Sequence, residues 1–393
     1  MGTSILHTIR SMNPAHGGPV EVVKQLSSMN GRMDCTVEIA SLDAPGDPWV
    51  GNLGLPIHAL GEQTSAAGAG YGYSSRFVPW LLGNRNRYSA VISHGLWQYN
   101  NAGVWRALRG TDTPYFVFPH GMLDGWFKRA YPAKHYKKWV YWILQERKIF
   151  RDARAVIFTC QEEQRASKNT FRPYRCDERV ITLGIAPPVF AYPKTPKSVF
   201  FERLPELSKK RILLFLGRLH DKKGCDLLIE AFGRITSGSG GEFHLVMAGP
   251  CADEAYLQQM RGLAGRHCPP GSVSFPGMLS GDLKWGAFQA AEAFVLPSHQ
   301  ENFGIAVVEA LACGVPVLIS NRVNIWREIE EDGAGSVQAD DAAGTLALLE
   351  NWRALDQAGR DRMRLAALAC FSDRFHITRT AHELLALIAS CAR

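Results

Sequence analysis

Two doubly wound, Rossmann-like α/β domains are what this 393-residue sequence predicts, and three observations carry that reading. Short β-rich runs alternate with helical patterns from the first residues onward. A proline-rich stretch interrupts the alternation near the middle. The alternation then restarts and continues toward the C-terminal region. Repetition of this kind builds a parallel sheet with helices on both faces. At roughly 100–200 residues per domain, the length suits two domains.

In the first half the β-rich runs are 5–9, 37–40, 90–93, 115–118, 155–158 and 180–183, with helical patterns at 20–29 and 134–151. Segment 186–210 then carries Pro187, Pro188, Pro193, Pro196 and Pro205. Proline removes a backbone donor and resists helix interiors and central strands, so this segment reads as a linker. Beyond it the runs are 212–217, 245–249, 273–275, 294–297 and 316–320, with helices expected at 226–234, 254–265, 305–313 and 342–352. The expected organisation is one domain at 1–190, a linker at 191–210 and a second domain from 211. Open α/β sheets bind ligands outside the carboxyl ends of their strands, so two such domains are expected to face each other across a cleft that holds the site.

Composition excludes several classes. Hydrophobic residues make up 46% and charged residues 21%, with 37 Gly and 21 Pro. These values match soluble globular proteins and exclude disordered, collagen-like and coiled-coil chains. The nine cysteines are scattered and form no C-x-x-C pair, which points to reduced thiols in a cytoplasmic setting. The apolar start at 4–9 is too short for a signal-peptide core. No apolar run approaches the roughly 20 residues of a membrane span.

The net charge of +7 is unevenly placed. Residues 1–190 hold 22 basic and 14 acidic side chains, whereas 191–393 hold 22 and 23. Segment 126–154 alone holds nine basic residues against Glu146 and Asp152. Such a balance fits nucleic acid, a membrane surface or an anionic ligand.

Three loops, each following an expected strand, carry candidate chemistry. The first runs from Arg10 through Asn13, Pro14 and His16 to Gly17, Gly18 and Pro19. Glycines before a helix let backbone N–H groups approach an anion, although an ordinary strand-to-helix turn looks the same. A G-x-G-x-x-G fingerprint is missing, which weakens a dinucleotide reading. The second is Gly217-Arg218-Leu219-His220-Asp221-Lys222-Lys223-Gly224. An Arg fork and a Lys point charge at a strand's carboxyl end suit a diphosphate; a solvated charged loop is the plainer alternative. The third is Ser298-His299-Gln300-Glu301-Asn302-Phe303-Gly304, leading into a helix that carries Glu309. Val307, Val308, Ala310 and Leu311 surround Glu309, so its carboxylate needs a partner or a ligand. Hydroxyl groups suit it, and a bond to backbone remains the alternative.

The third loop and its helix resemble the E-x7-E region of retaining glycosyltransferases of family 4, group 1, which have the GT-B fold. Gly217-Arg218-Leu219 with Lys223-Gly224-Cys225-Asp226 resembles that family's G-R-L-x3-K-G-x-D loop. Pro14 with Gly17 and Gly18 resembles its N-terminal glycine loop. The motifs stand in the family's order, and the likeness is strongest over 211–335.

The resemblance implies a role for each matching position. Arg218 and Lys223 would grip the diphosphate of a nucleotide-sugar donor. Glu309 would bind the ribose hydroxyls and Glu301 the hydroxyls of the donor sugar. Asn302, Phe303 and Gly304 would add backbone donors. Gly17 and Gly18 would let the N-terminal backbone close over the diphosphate. His120, in Pro119-His120-Gly121, would contact the sugar at the reaction centre, with His94 as a possible acceptor contact. Base contacts would come from loops near 249–251 and 277–282. Segment 371–393 would return as a helix to the N-terminal domain, ending the second domain at 370. The implied activity is hexosyl transfer to a glycan or lipid-linked acceptor in polysaccharide biosynthesis. No metal or other cofactor is expected, because paired cations can stabilise the leaving diphosphate. A non-catalytic nucleotide-sugar-binding subunit, or a phosphorylase or epimerase on the same fold, are the alternatives. The intact set Arg218, Lys223, Glu301 and Glu309 argues against the first.

Segment 126–154 interleaves Trp126, Phe127, Tyr131, Tyr136, Trp139, Tyr141 and Trp142 with Lys128, Arg129, Lys134, Lys137, Lys138 and further basic residues. Such a mixture suits an anionic membrane surface. The alternative packs Trp139, Trp142 and Ile143 into the core. No nucleic-acid recognition motif accompanies the charge. A cytoplasmic protein, peripheral at the inner membrane face, is therefore expected.

Overall fold

The computed structural model describes residues 2–51, 54–62, 70–125, 128, 132–188, 195–237 and 241–391. Of the expected features, Trp126, Phe127, Arg129, Tyr131, Pro193 and Ala392 lie outside the described residues. The chain divides into two units, residues 1–186 with 377–393, and residues 187–376.

The first unit is built on seven parallel strands: β1 (Ser4–Ile9), β2 (Thr36–Ser41), β3 (Ile57–Ala59), β4 (Ala90–His94), β5 (Tyr115–Phe118), β6 (Ala155–Phe158) and β7 (Glu178–Val180). Their order is β3-β2-β1-β4-β5-β6-β7. Ile5 aligns with Val37 on one side and Ala90 on the other. Central strands such as β4 and β5 are buried at every position, as near-continuous apolar runs must be when helices cover both faces. Strand β3 was not legible because it is a short, half-buried edge strand.

The second unit repeats the plan with β8 (Arg211–Leu216), β9 (Phe243–Ala248), β10 (Val273–Gly277), β11 (Ala291–Leu296), β12 (Val317–Ser320) and β13 (Gly335–Gln338). The order is β10-β9-β8-β11-β12-β13, all parallel. In each unit the strand order reverses beside the first strand, between β1 and β4 and between β8 and β11. Ligands of doubly wound sheets bind at this switch point.

Two expectations change. The stretch expected as a linker holds the helix Pro196–Arg203. Thr195 caps it by accepting from Ser198 N–H, and Pro196 stands in the first turn, where its missing donor costs nothing. Phe200 is fully buried, and Gly286 of the helix Gly281–Ala290 lets the two helices touch: a Cβ there would lie 2.1 Å from the Pro196 carbonyl oxygen. The single helix expected at 134–151 is instead a helix Pro132–Tyr141, a π-helical turn Trp142–Glu146 and a helix Arg147–Asp152. The closing helix, Ile377–Cys391, follows a π-helical turn Phe371–Phe375 and packs against the helix Gly18–Gly31 of the first unit.

The basic segment divides between its two expected environments. Trp142 is fully buried and donates its indole N–H to the Pro173 carbonyl at 2.9 Å. Ile143 packs partly against the same core. Trp139, which only the core alternative buried, is exposed with Tyr136, Val140 and Leu144. No described helix is long and apolar enough to cross a membrane.

Candidate active site

In the second unit the loops after β8 and β11 leave neighbouring strands at the switch point. One close backbone approach locks them together, and a second ties the loop after β8 to the end of β9. Gly224 runs at φ +65°, and a Cβ on it would lie 2.3 Å from the Pro297 carbonyl oxygen. Gly249, after β9, would place a Cβ 1.8 Å from the Gly217 carbonyl oxygen. The Lys222 carbonyl also accepts from His299 N–H at 2.9 Å and from the Ser298 hydroxyl at 3.0 Å.

These constraints bring Lys223 and Glu301 into direct contact, the ammonium donating to Glu301 Oε2. Burial pushes the Lys223 ammonium down to about 7, and the neighbouring Lys222 and Arg218 cations push the same way. The carboxylate opposes them by favouring the charged form. Arg218 is exposed on the same loop and forms no ion pair among the described residues. Lys223 is thus a buried cation beside a second cation, an arrangement that favours a multiply charged anion.

Gly304, at φ +79° and ψ 61°, caps the helix Ile305–Ala312. A Cβ there would press Val307, Val323 and Glu301, so glycine suits both the space and the backbone. Asn302 accepts from the Asn324 amide at 3.4 Å, and Phe303 buries its ring edge-on to Phe375. First-turn N–H groups have no partner inside their helix, so they can serve a ligand oxygen. Glu309 is 6% exposed and accepts from Lys284 Nζ at 2.7 Å. Lys284, on the helix Gly281–Ala290, was missed in the sequence. Beside this loop, Asp340 holds His299 and Arg322, and Asp341 caps the helix Ala342–Ala354.

In the first unit the loop after β1 is folded around buried Asp43. That carboxylate accepts from the Ser11 hydroxyl at 2.5 Å, Met12 N–H at 2.8 Å and the Trp49 indole at 2.9 Å. Gly17 takes φ +72°, and Gly18 opens the helix Gly18–Gly31. The loop after β5 carries His120 at φ +52°, a left-handed conformation uncommon outside glycine and often found at functional positions. Glu163 steadies it, accepting from Gly121 N–H at 2.5 Å and Thr159 N–H at 2.7 Å. His94 is fully buried behind His120. It is therefore closed to an acceptor, contrary to expectation, because both its ring nitrogens are engaged by neighbouring histidines in the interior.

The Glycosyl transferases group 1 family matches residues 197–366, and the Glycosyl transferase 4-like domain matches residues 17–183. The chain belongs to the GT-B glycosyltransferases of family 4. It is 28% identical over 379 residues to the GDP-mannose:cellobiosyl-diphosphopolyprenol alpha-mannosyltransferase of Xanthomonas campestris, covering 93% of this chain and 91% of that one. The O-antigen chain mannosyltransferase B of Escherichia coli is 25% identical over 46% of this glycosyltransferase and 47% of its own length. Among solved structures, sucrose-phosphate synthase from Thermosynechococcus elongatus superposes with a TM-score of 0.79 at 19% identity, covering 99% of this chain and 98% of that one. HepE from Anabaena, in complex with UDP-glucose, superposes at 0.74 with 17% identity over 98% and 99%. These two likenesses establish a shared fold.

Proposed function

We propose that this glycosyltransferase moves a hexose, with retention, from a nucleotide-diphosphate sugar to a glycan or lipid-linked acceptor in cell-surface polysaccharide biosynthesis. The observation that carries the reading is the Lys223–Glu301 contact at the β8/β11 switch point, with Arg218 beside it. Without donor, the Glu301 carboxylate compensates the Lys223 ammonium. A diphosphate entering the loop takes over that task and favours the charged ammonium. Glu301 is then released to accept hydroxyls of the donor sugar. Departure of the nucleotide builds negative charge on the diphosphate, where Lys223 and Arg218 stand preorganised. The reading assigns this charge to protein cations and needs no metal. Glu309 holds the ribose, the Asn302–Gly304 backbone the sugar and phosphate, and Gly17 and Gly18 the other side of the diphosphate. His120 meets the sugar. In retention by front-face displacement, the leaving phosphate oxygen takes the acceptor's proton, so no separate base is required. By their names, the Xanthomonas relative uses GDP-mannose with a diphosphopolyprenol-linked glycan, and HepE was solved with UDP-glucose. Both donors are nucleotide-diphosphate hexoses.

Purified Lys223→Ala and Glu301→Ala variants test the reading. Each is expected to lose about 10²-fold or more in kcat, the scale of a lost preorganised charge contact, while circular dichroism shows the fold retained. Near-normal turnover in both would sink the assignment.

A peripheral membrane role rests on a separate observation. Tyr136, Val140 and Leu144 recur every four residues and stay exposed together with Trp139, with Lys134 and Lys137 on the same segment. Co-sedimentation with vesicles containing anionic lipid is expected for the wild type. Charge reversal at Lys134, Lys137 and Lys138 should release it, and unchanged binding refutes this role.

A further inference from the structure

Three histidines form a hydrogen-bonded row across adjacent strands of the first unit. His7 lies on β1, His94 ends β4 and His120 follows β5. His7 Nδ1 stands 2.9 Å from His94 Nε2, and His94 Nδ1 stands 2.9 Å from His120 Nε2. The rings stack with centroids 5.2 and 5.1 Å apart. Burial keeps all three neutral: it lowers His7 to about 4, His120 to about 3 and His94 well below its ordinary value.

A neutral imidazole has one N–H and one lone pair. Each 2.9 Å contact must therefore match an N–H with a lone pair, and His94, engaged at both nitrogens, donates through one and accepts through the other. Two orders satisfy this. Either every proton sits on Nδ1 and the row donates outward to His120, or every proton sits on Nε2 and it donates inward to His7. The inner end decides between them. His7 Nε2 is buried and has no partner among the described residues. The outward order leaves only a lone pair there, whereas the inward order strands an N–H. Buried N–H groups without a partner are rarer than unsatisfied acceptors.

We propose that His7 and His94 are positioning residues that hold His120 as the Nδ1–H tautomer, so that its open ring nitrogen offers a hydrogen-bond donor, not a base, to a substrate oxygen. That this oxygen belongs to a sugar rests on the glycosyl-transfer reading; the tautomer does not. Free neutral histidine favours the Nε2–H form, so the assignment is distinctive.

The test uses the full chain labelled with 15N-histidine. Two-bond proton–nitrogen correlations report each tautomer, with signals assigned by single substitutions. His120 is expected as Nδ1–H, and an Nε2–H signal overturns the proposal. His7→Phe fills the ring's space but cannot donate. It should give mixed tautomers at His120 and lower kcat about tenfold, the effect of one hydrogen bond, with little change in donor KM. His7→Asn returns an N–H near the position of Nδ1 and should restore both signal and rate. A Phe variant with native tautomer and rate, or an Asn variant as impaired as Phe, overturns the role of His7. If His120 reads Nδ1–H while no nucleotide sugar is turned over, the glycosyl-transfer reading falls and the tautomer assignment stands.

Discussion

At Gly224 two demands meet on one residue: a backbone at φ +65° and a Cβ direction that ends 2.3 Å from the Pro297 carbonyl oxygen. Backbone cannot yield as a flexible side chain does. Gly224→Ala must therefore lift the loop after β8 away from the loop after β11, and with it Lys223 from Glu301. The left-handed conformation alone costs an alanine about 1 kcal/mol, and the collision adds to it. A loss of about 2–3 kcal/mol in urea unfolding is expected, together with weaker nucleotide-diphosphate binding by calorimetry. Native stability with native binding would show that the loops are not locked there. Residues of this kind also explain what the sequence revealed about the site. Arg218, Lys223, Gly224, Glu301 and Glu309 fall in two short stretches, where spacing alone is informative. Lys284, Glu163 and His7 act through partners 25, 42 and 87 positions away, and only the folded sheet brings those pairs together.

Among the elements, the π-helical turn Trp142–Glu146 changes how the basic segment is read. One extra residue in the turn lets Trp142 and Glu146 point into the core while Leu144 stays outside. Sequence periodicity assumes a regular helix, so it could not sort these side chains. Glu146 is fully buried and accepts from Trp97 N–H at 2.8 Å, supporting the loop after β4, where Trp97 itself takes φ +64°. Burial pushes the Glu146 carboxyl up to about 8, against the pull of that N–H. The folded state therefore keeps a proton that the unfolded chain releases at its ordinary value of 4.5. The stability this proton contributes is complete below the unfolded value and disappears as the pH rises through the folded one. Glu146→Gln keeps the oxygen for Trp97 and removes the titration. Its unpartnered amide N–H carries a cost that does not vary with pH. The variant should thus gain on the wild type between about pH 5 and pH 9 in thermal melts. A constant difference would mean that Glu146 is not held neutral.

Over the whole molecule, the two sheets were legible because buried parallel strands are continuous apolar runs, repeated on both sides of a break. The exact partition was not, because proline at the start of Pro196–Arg203 looks the same as proline in a linker. The charge of 126–154, nearly the whole excess of the first half, belongs to one segment of the first unit. That unit is also the one assembled from both ends of the chain. Ile377, Ala381, Leu384 and Ile388 recur at helical spacing and are almost fully buried on one face of the closing helix. Ile377 N–H donates to the Ile185 carbonyl at 3.0 Å, and the Thr380 hydroxyl donates to the Thr182 carbonyl at 2.8 Å. Burying each large aliphatic side chain contributes roughly 1.5–3 kcal/mol. Truncation after His376 thus removes several kcal/mol from a unit whose total stability is of order 5–15 kcal/mol. The second unit, residues 187–376, is continuous and keeps all its strands. Calorimetry of the truncated chain is therefore expected to show two separated transitions, the first unit melting well below its position in the full chain and the second nearly unmoved. Adding a nucleotide diphosphate should raise the second transition, because Arg218, Lys223, Glu301 and Glu309 all reside there and binding stabilises the state that binds. A truncated chain that melts as the intact one does would mean that the closing helix contributes nothing to the fold it packs against.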